Sequence, residues 1–352
     1  GASQLRLRVL GLPFPNVDWS PGMPQNTLTA VLEHGAAADT AIVVPGGQRL
    51  TYGQLREQVS LAADRLAQLG LGRDDRIAMV FPNGVEAIVL FLAAAAVGTA
   101  APLNAAYKAD EFRFYLEDTG ARALIVPPGG GELARSALPH GVLLVEAHVD
   151  GHGQLVLESD AESDPSRSAQ APGEDDVALV LHTSGTTSRP KMVPLRQRNL
   201  AASIDNIAAT YRLGADDVAM CVMPLFHIHG LMASTMATLR TGGTVVVPPR
   251  FDPLTFWPAA AEYRATWYSA VPTIHQMLLL RNRGERPAGP EKLRFLRSSS
   301  SALAPQTMRD LAPRFRAPVL AACGQNAASP TIASTPRPAA DVRPGRARRQ
   351  GG

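Results

Sequence analysis

Residues 177 to 195 read VALVLHTSGTTSRPKMVPL, an apolar run that stops abruptly in small hydroxylated residues. The β-branched and aliphatic residues at 177–181 predict a buried strand. Gly185, in the segment that follows, lets the backbone approach a ligand closely because it carries no side chain. Exposed N–H groups in such a turn bind phosphate oxygens. The stretch therefore predicts a strand that leads into an anion-binding loop at residues 183–191.

The side chains of this loop add hydroxyl donors and a mobile positive charge. Pro190 restrains the exit of the loop, because proline fixes its own φ. The loop is not a Walker A motif: that motif needs a glycine directly before Lys-Ser/Thr, whereas Pro190 precedes Lys191 and Met192 follows it. A surface turn rich in serine and threonine is the alternative. The predicted nucleotide-binding residues of the loop are Thr183, Ser184, Gly185, Thr186, Thr187, Ser188 and Lys191.

The composition is that of an ordinary globular protein. The chain has 352 residues, of which 45% are hydrophobic and 18% charged. This length suits two domains or one large α/β body. The net charge is +3, and five arginines fall within the last 16 residues, so no basic face of the body is evident. We therefore expect no nucleic-acid partner for the body.

The cysteines and the apolar segments bear on the compartment. Cys221 and Cys323 lie far apart and form no metal or redox spacing, which favours a reducing, cytoplasmic setting. The first ten residues lack a signal-peptide pattern. The longest apolar run, 88–103, contains a glycine and a proline and falls short of the ~20 residues that a membrane helix needs. We therefore expect no membrane span.

Strand and helix patterns alternate along the chain, which predicts parallel βαβ units. The segment 158–176 is polar, acidic and without periodicity, and we expect it to be a linker or long surface loop. The predicted organisation is a first α/β sub-domain at 1–157, the linker, a second α/β sub-domain at 177–330 and a basic irregular tail at 331–352.

Two further strand ends carry polar groups. A predicted strand ends in PLFHIHG at 224–230, where His227 and His229 would face the same way if the segment were extended. Two histidines alone make a poor metal site, and a hydrogen-bonded structural role is an open alternative to a functional one. A second predicted strand ends in SSSSALAP at 298–305, which forms either another wall of the site or a serine-rich turn before a helix.

The string TSGTTSRPK at 183–191 resembles the phosphate loop of the adenylate-forming superfamily, in which TSGTTGxPKG is usual. Ser188 and Met192 depart from that pattern. Together with PLFHIHG and SSSSALAP, the segment TWYSAVPTIHQ at 266–276 looks most like oxalyl-CoA synthetase. The resemblance implies the large amino-terminal body of such an enzyme, with two α/β sub-domains whose mixed or parallel sheets are flanked by helices.

The resemblance also implies a chemistry. A carboxylate would attack ATP to give an acyl-adenylate, and coenzyme A would then displace AMP. The implied partners are ATP, CoA, a small oxalate-like carboxylate and weakly held Mg²⁺. Lys191 and His227 would be the catalytic residues, and His227 and Ser300 would border the carboxylate. Further nucleotide-binding positions implied by the resemblance are Ser299, Ser300, Ser301 and Asn326.

The resemblance breaks after residue 320. Where the family has close to EAYGMTE, this chain reads AACGQNA at 321–327, so Cys323 replaces the adenine-stacking tyrosine and Ala327 replaces the magnesium-binding glutamate. We therefore expect no metal ligand of the protein's own. We also expect the small carboxy-terminal domain, with its catalytic lysine, to be absent. Two interpretations remain open: an impaired acyl-CoA ligase, or a catalytically inactive nucleotide- or acyl-binding protein or gene fragment.

Overall fold

The computed structural model describes residues 26–183, 189–282, 287, 290–325 and 329–334. The described strands are β1 (Thr40–Val43), β2 (Arg49–Thr51), β3 (Arg76–Met79), β4 (Thr99–Pro102), β5 (Ala121–Val126), β6 (Leu143–Val149), β7 (Leu155–Glu158), β8 (Val177–Thr183), β9 (Lys191–Arg196), β10 (Val218–Cys221), β11 (Thr244–Val246), β12 (Trp267–Ala270), β13 (Phe295–Ser298), β14 (Val319–Gln325) and β15 (Ser329–Ser334).

The described α-helices are α1 (Tyr52–Gln68), α2 (Val85–Val97), α3 (Ala109–Thr119), α4 (Glu132–Ser136), α5 (Gln197–Tyr211), α6 (Ala237–Leu239), α7 (Phe256–Glu262), α8 (Pro272–Arg281) and α9 (Pro305–Phe315). Short 3-10 helices occupy Leu28–Leu32 and Pro290–Lys292, and a π-helical segment covers His229–Met236.

The strands form two mixed sheets. An eight-stranded sheet has the order β15-β14-β13-β12-β10-β11-β1-β2, and a seven-stranded sheet has the order β7-β6-β5-β3-β4-β8-β9. Each sheet is parallel in its interior and has an antiparallel strand at both edges. This confirms the predicted α/β class with mixed sheets flanked by helices.

In both sheets, strands from the two sides of the segment 158–176 pair with each other. The hairpin β1–β2 lies in the sheet of the later half, where Ile42 pairs with Val245. The hairpin β8–β9 lies in the sheet of the earlier half, through the pairing of Ala100 with Leu179. These pairings join residues far apart in sequence, so local periodicity carries no signal for them. Each sheet therefore contains one hairpin from the other side of the segment 158–176, and the division into two sub-domains stays a prediction.

Helices between the two sheets bury a common core. Helix α2 is apolar on nearly all faces, with all but two of its residues buried, so it fits only between layers. One contiguous core contains side chains of both sheets, such as Ile42 and Ile77, together with those of α1, α2 and α5. This packing fixes the orientation of the strand ends that carry the polar motifs.

The carboxyl ends of β10, β12 and β13 lie side by side. In register, Cys221 of β10 pairs with Ser269 of β12, and Ser269 pairs with Arg297 of β13. All three strands are parallel, so the segments that follow them leave the same edge of the sheet. Such edges are where open α/β sheets bind ligands.

Candidate functional site

A tight turn after β10 directs one of the two histidines into the protein. The backbone N–H of His227 donates to the carbonyl of Pro224, and the chain then enters the π-helical segment at His229. A Cβ on Gly230 would lie 2.4 Å from the Pro224 carbonyl oxygen, so only glycine allows this closure. The segment is therefore not extended, and the two histidines diverge: His229 is 5% exposed, whereas His227 is exposed.

His229 connects the serines of two strand ends. Its Nε2 lies 2.6 Å from the Oγ of Ser269, and its Nδ1 lies 2.9 Å from the Oγ of Ser300. The Nη1 of Arg297 donates to the Oγ of Ser269 at 2.9 Å and lies 3.3 Å from the Nε2 of His229. We call these four residues the histidine cluster.

Arg297 is the charged member of the histidine cluster, and it is only 1% exposed. Its Nε donates to the hydroxyl of Tyr211 at 3.1 Å, and its guanidinium carbon lies 5.7 Å from the centre of that ring. Burial lowers the pKa of Arg297, although Tyr211 opposes the shift. A buried cation of this kind would attract an anion at the adjoining strand ends.

The same surroundings hold His229 neutral. Burial lowers the pKa of His229 well below its usual value, and the positive charge of Arg297 lowers it further. His275 and His227 act in the same direction. A neutral imidazole has one N–H donor and one acceptor nitrogen. If one ring nitrogen of His229 accepts a hydrogen bond from Ser269, the other nitrogen therefore donates one to Ser300.

The three predicted residues of the serine-rich segment after β13 differ in their exposure to solvent. Ser299 is buried, and its N–H donates to the carbonyl of Ala270. Ser300 and Ser301 are exposed. Ser300 has a φ of 73°, a left-handed conformation that a serine rarely adopts. Backbone strain of this kind persists where surrounding contacts determine the conformation, and here the contact is His229.

The base of the predicted phosphate loop is described, while residues 184–188 and 326–328 lie outside the described residues. The last pair of the β8–β9 ladder joins Thr183 to Lys191, and the Thr183 hydroxyl donates to the Lys191 carbonyl at 3.4 Å. Lys191 is exposed. The predictions for Ser184, Gly185, Thr186, Thr187, Ser188 and Asn326 therefore fall outside the described residues.

The structure thus brings Ser300 together with His229 rather than with His227. In the described part of the chain, no hydrogen bond joins His227 to Ser300. The prediction that His227 borders the carboxylate stays a prediction. Sequence reasoning missed Arg297 and Ser269. A signal existed for Arg297: side chains alternate along a strand, so it shares a face with the buried Phe295.

The described residues contain neither a group of side chains suited to hold a metal ion nor a helix suited to cross a membrane. No three or more His, Cys, Asp or Glu side chains of the described residues are grouped to hold a metal. None of the helices between residues 26 and 334 that are described is both long and apolar enough to cross a bilayer.

Comparison with known proteins identifies the family. A family model described as "AMP-binding enzyme" matches residues 32–350. Oxalate–CoA ligase of Arabidopsis thaliana is 43% identical over 331 residues, covering 90% of this chain and 64% of that protein. Probable CoA ligase CCL9 of Humulus lupulus is 44% identical over 332 residues, covering 89% of this chain and 62% of that protein.

The fold is similar to a solved relative. ATP-bound MatB from Rhodopseudomonas palustris superposes with a TM-score of 0.76 at 28% identity, covering 89% of this chain and 62% of that chain. This chain thus spans less than two thirds of the length of each of these relatives. The phosphate-loop motif, the histidine turn and the serine-rich strand end all lie within the matched range. The chain belongs to the AMP-binding enzyme family.

Proposed function

We propose that the protein activates a small carboxylic acid with ATP and transfers the acyl group to coenzyme A. The observation that carries this proposal is the histidine cluster. In it, the buried cation of Arg297 and the neutral imidazole of His229 lie behind the exposed Ser300, just after the carboxyl end of β13. Such a site suits a compact, strongly anionic acid, because hydrogen bonds between donors and a carboxylate are stronger than those between neutral groups. Relatives named oxalate–CoA ligase and CoA ligase support the reaction class.

The reaction has two steps. A carboxylate oxygen attacks the α-phosphorus of ATP, the bond from that phosphorus to the bridging oxygen breaks, and pyrophosphate leaves. The CoA thiolate then attacks the acyl carbon, and AMP leaves with its phosphate oxygen. A carboxylate is ionised at neutral pH, so the first step needs no general base. Mg²⁺ bound to the nucleotide would neutralise phosphate charge.

The chain's own residues would position the reactants. The loop 183–191 would hold the phosphates, with Lys191 supplying charge. His227 and Ser300 would border the carboxylate, and Ser299, Ser301 and Asn326 would line the nucleotide side. In the described range, Thr183 and Lys191 meet at the base of the loop, which supports this assignment. The buried free thiol of Cys221 supports the cytoplasmic setting.

Pyrophosphate release with oxalate, malonate and acetate tests the proposal. We expect oxalate to be favoured over acetate, since acetate leaves part of the donor set without an acceptor. Equal turnover with acetate would contradict an anion-selective acyl site. Failure to bind ATP in calorimetry would contradict the nucleotide site itself.

A second candidate function is a non-catalytic protein that binds nucleotide or acyl ligands. Cys323 and Ala327 favour it, because they stand where the resemblance places a stacking tyrosine and a metal-binding glutamate. Cysteine offers less stacking area than tyrosine. ATP binding without pyrophosphate release would support this candidate. In that case the double variant Cys323→Tyr/Ala327→Glu should tighten Mg²⁺–ATP binding.

A further inference from the structure

The hydroxyl of Ser269 determines the direction of hydrogen bonding through the histidine cluster. Ser269 is fully buried. Within the part of the chain that the structure describes, its Oγ has two partners, Arg297 Nη1 and His229 Nε2. A guanidinium has only donors, so the bond from Arg297 makes the Ser269 oxygen an acceptor. The hydroxyl hydrogen must then point to the other partner, His229 Nε2.

The opposite arrangement leaves a buried donor unsatisfied. If His229 carried its proton on Nε2, the Ser269 oxygen would accept two hydrogen bonds and its own hydrogen would have no acceptor among the described residues. The Nε2–H would also face the Nη1–H of Arg297, 3.3 Å away. Buried hydroxyl donors without an acceptor are costly, so this arrangement is disfavoured.

The proton of the neutral imidazole therefore lies on Nδ1. From there it donates to the Oγ of Ser300, 2.9 Å away. The Ser300 oxygen is then occupied as an acceptor by His229, and its hydroxyl hydrogen is free to point outward. Ser300 is exposed at the strand edge, so a ligand oxygen can accept that hydrogen.

We propose that Arg297 is a positioning residue of the acyl site: acting through Ser269, it fixes the Nδ1–H tautomer of His229 and so makes Ser300 a donor to a carboxylate oxygen. Only the last link, donation to the substrate, rests on the proposed function. The tautomer is a property of the unliganded protein. A purely structural role for this position would not need a donor-only side chain, because an apolar residue fills a core at lower cost.

Nitrogen-15 NMR of the histidine rings of the unliganded 352-residue protein tests the relay directly. The spectrum of His229→Asn assigns the His229 signals by their disappearance. We expect wild-type His229 to show a protonated Nδ1 and an unprotonated Nε2. A protonated Nε2 would overturn the proposal, whether or not the chain turns over substrate.

Two substitutions at Arg297 separate its effect on the direction of hydrogen bonding from its effect on packing. Arg297→Lys keeps a donor-only cation and should retain the Nδ1–H signature. Arg297→Gln can also accept, so both tautomers of His229 should become populated. An unchanged signature in Arg297→Gln would overturn the proposal, and the wild-type signature still decides if that variant does not fold. Ser234→Ala is the matched control, because Ser234 is equally buried and its Oγ has no hydrogen-bond partner among the described residues.

Steady-state kinetics tests the link to the substrate. Arg297→Gln should raise the KM for the carboxylate about tenfold, the effect of weakening one hydrogen bond to a charged group, while the KM for ATP stays the same. Arg297→Lys should raise the KM for the carboxylate less than Arg297→Gln does, because it keeps a donor-only cation. Ser234→Ala should leave both values near wild type. Equal loss of kcat for all substrates with unchanged KM would indicate a structural role and contradict the positioning role.

Discussion

His182 Nε2 lies 2.8 Å from Asp118 Oδ2, so the end of strand β8 is tied to helix α3 immediately before the predicted phosphate loop begins at Thr183. The His182 side chain is 6% exposed, and the ring of Tyr115 packs against it at 4.7 Å. The carboxylate is 40% exposed. A pair whose carboxylate is this exposed contributes little to the free energy of unfolding. We therefore expect its main effect to be on the orientation of the end of β8.

We predict that Asp118→Asn weakens ATP binding severalfold and lowers the free energy of unfolding by less than about 1 kcal/mol. The amide keeps the size of the side chain but removes the charge opposite His182. Calorimetric titration with ATP and chemical denaturation measure the two effects. Glu117→Gln removes a neighbouring exposed charge on the same helix and should change neither. Unaltered ATP affinity in Asp118→Asn would refute the orienting role of the pair.

Lys191→Ala should weaken ATP binding by one to two orders of magnitude, on the order of the ~1.5–3 kcal/mol of a hydrogen bond to a charged group. Because Lys191 is exposed at the start of β9, its removal should leave the melting temperature nearly unchanged. Lys292→Ala, which removes an exposed lysine elsewhere, is the control. Equal ATP affinity of the two variants would mean that residue 191 does not reach the phosphates.

The local elements could be predicted from the sequence because their signals are local. Helix α1 spans Tyr52–Gln68, and its signals lie within its own sequence: the apolar residues have helical spacing, and Thr51 caps its start with Gln54. The sheet to which the hairpins β1–β2 and β8–β9 belong could not be predicted. Ile42 pairs with Val245, about 200 residues away in the sequence. This pairing depends on which strand lies next to β1 in the folded protein, and local periodicity does not encode that.

The candidate site was predicted in part for the same reason. Serines and histidines at strand ends are visible in the sequence, and the structure brings Ser300 and His229 together. Arg297 was missed because a charged residue in a strand is ordinarily assigned to an exposed face. Its burial depends on Tyr211, a residue from a distant helix, which supplies an acceptor and a ring face.

Gly230→Ala should disrupt the histidine turn. Its new Cβ would lie 2.4 Å from the carbonyl oxygen of Pro224 and 2.8 Å from that of Met223, so the backbone must shift. We expect a loss of about 1–3 kcal/mol in the free energy of unfolding and a displaced His229 ring. Gly214→Ala, whose Cβ meets nothing within 4 Å, should be neutral. Denaturation curves that coincide for the two variants would contradict this geometry.

His275 should make the protein less stable in mild acid. Burial lowers the pKa of His275 to about 4, against about 6.5 in an unfolded chain. Between these values the unfolded state binds more protons than the folded state, so stability rises with pH through this window and is lost as pH falls. The contribution should amount to about 2 kcal/mol between about pH 7 and pH 5.

His275→Gln should remove this part of the pH dependence. Its side chain can still hydrogen-bond the hydroxyl of Tyr268, which contacts His275 Nδ1 at 3.2 Å in the wild type. The difference in unfolding free energy between about pH 7 and pH 5, measured with urea, should therefore shrink by about 2 kcal/mol. The part due to His229 should persist, because burial lowers its pKa as well. His140→Gln, at an exposed histidine, should retain the full wild-type difference; the same difference in His275→Gln would show that His275 does not titrate as its burial requires.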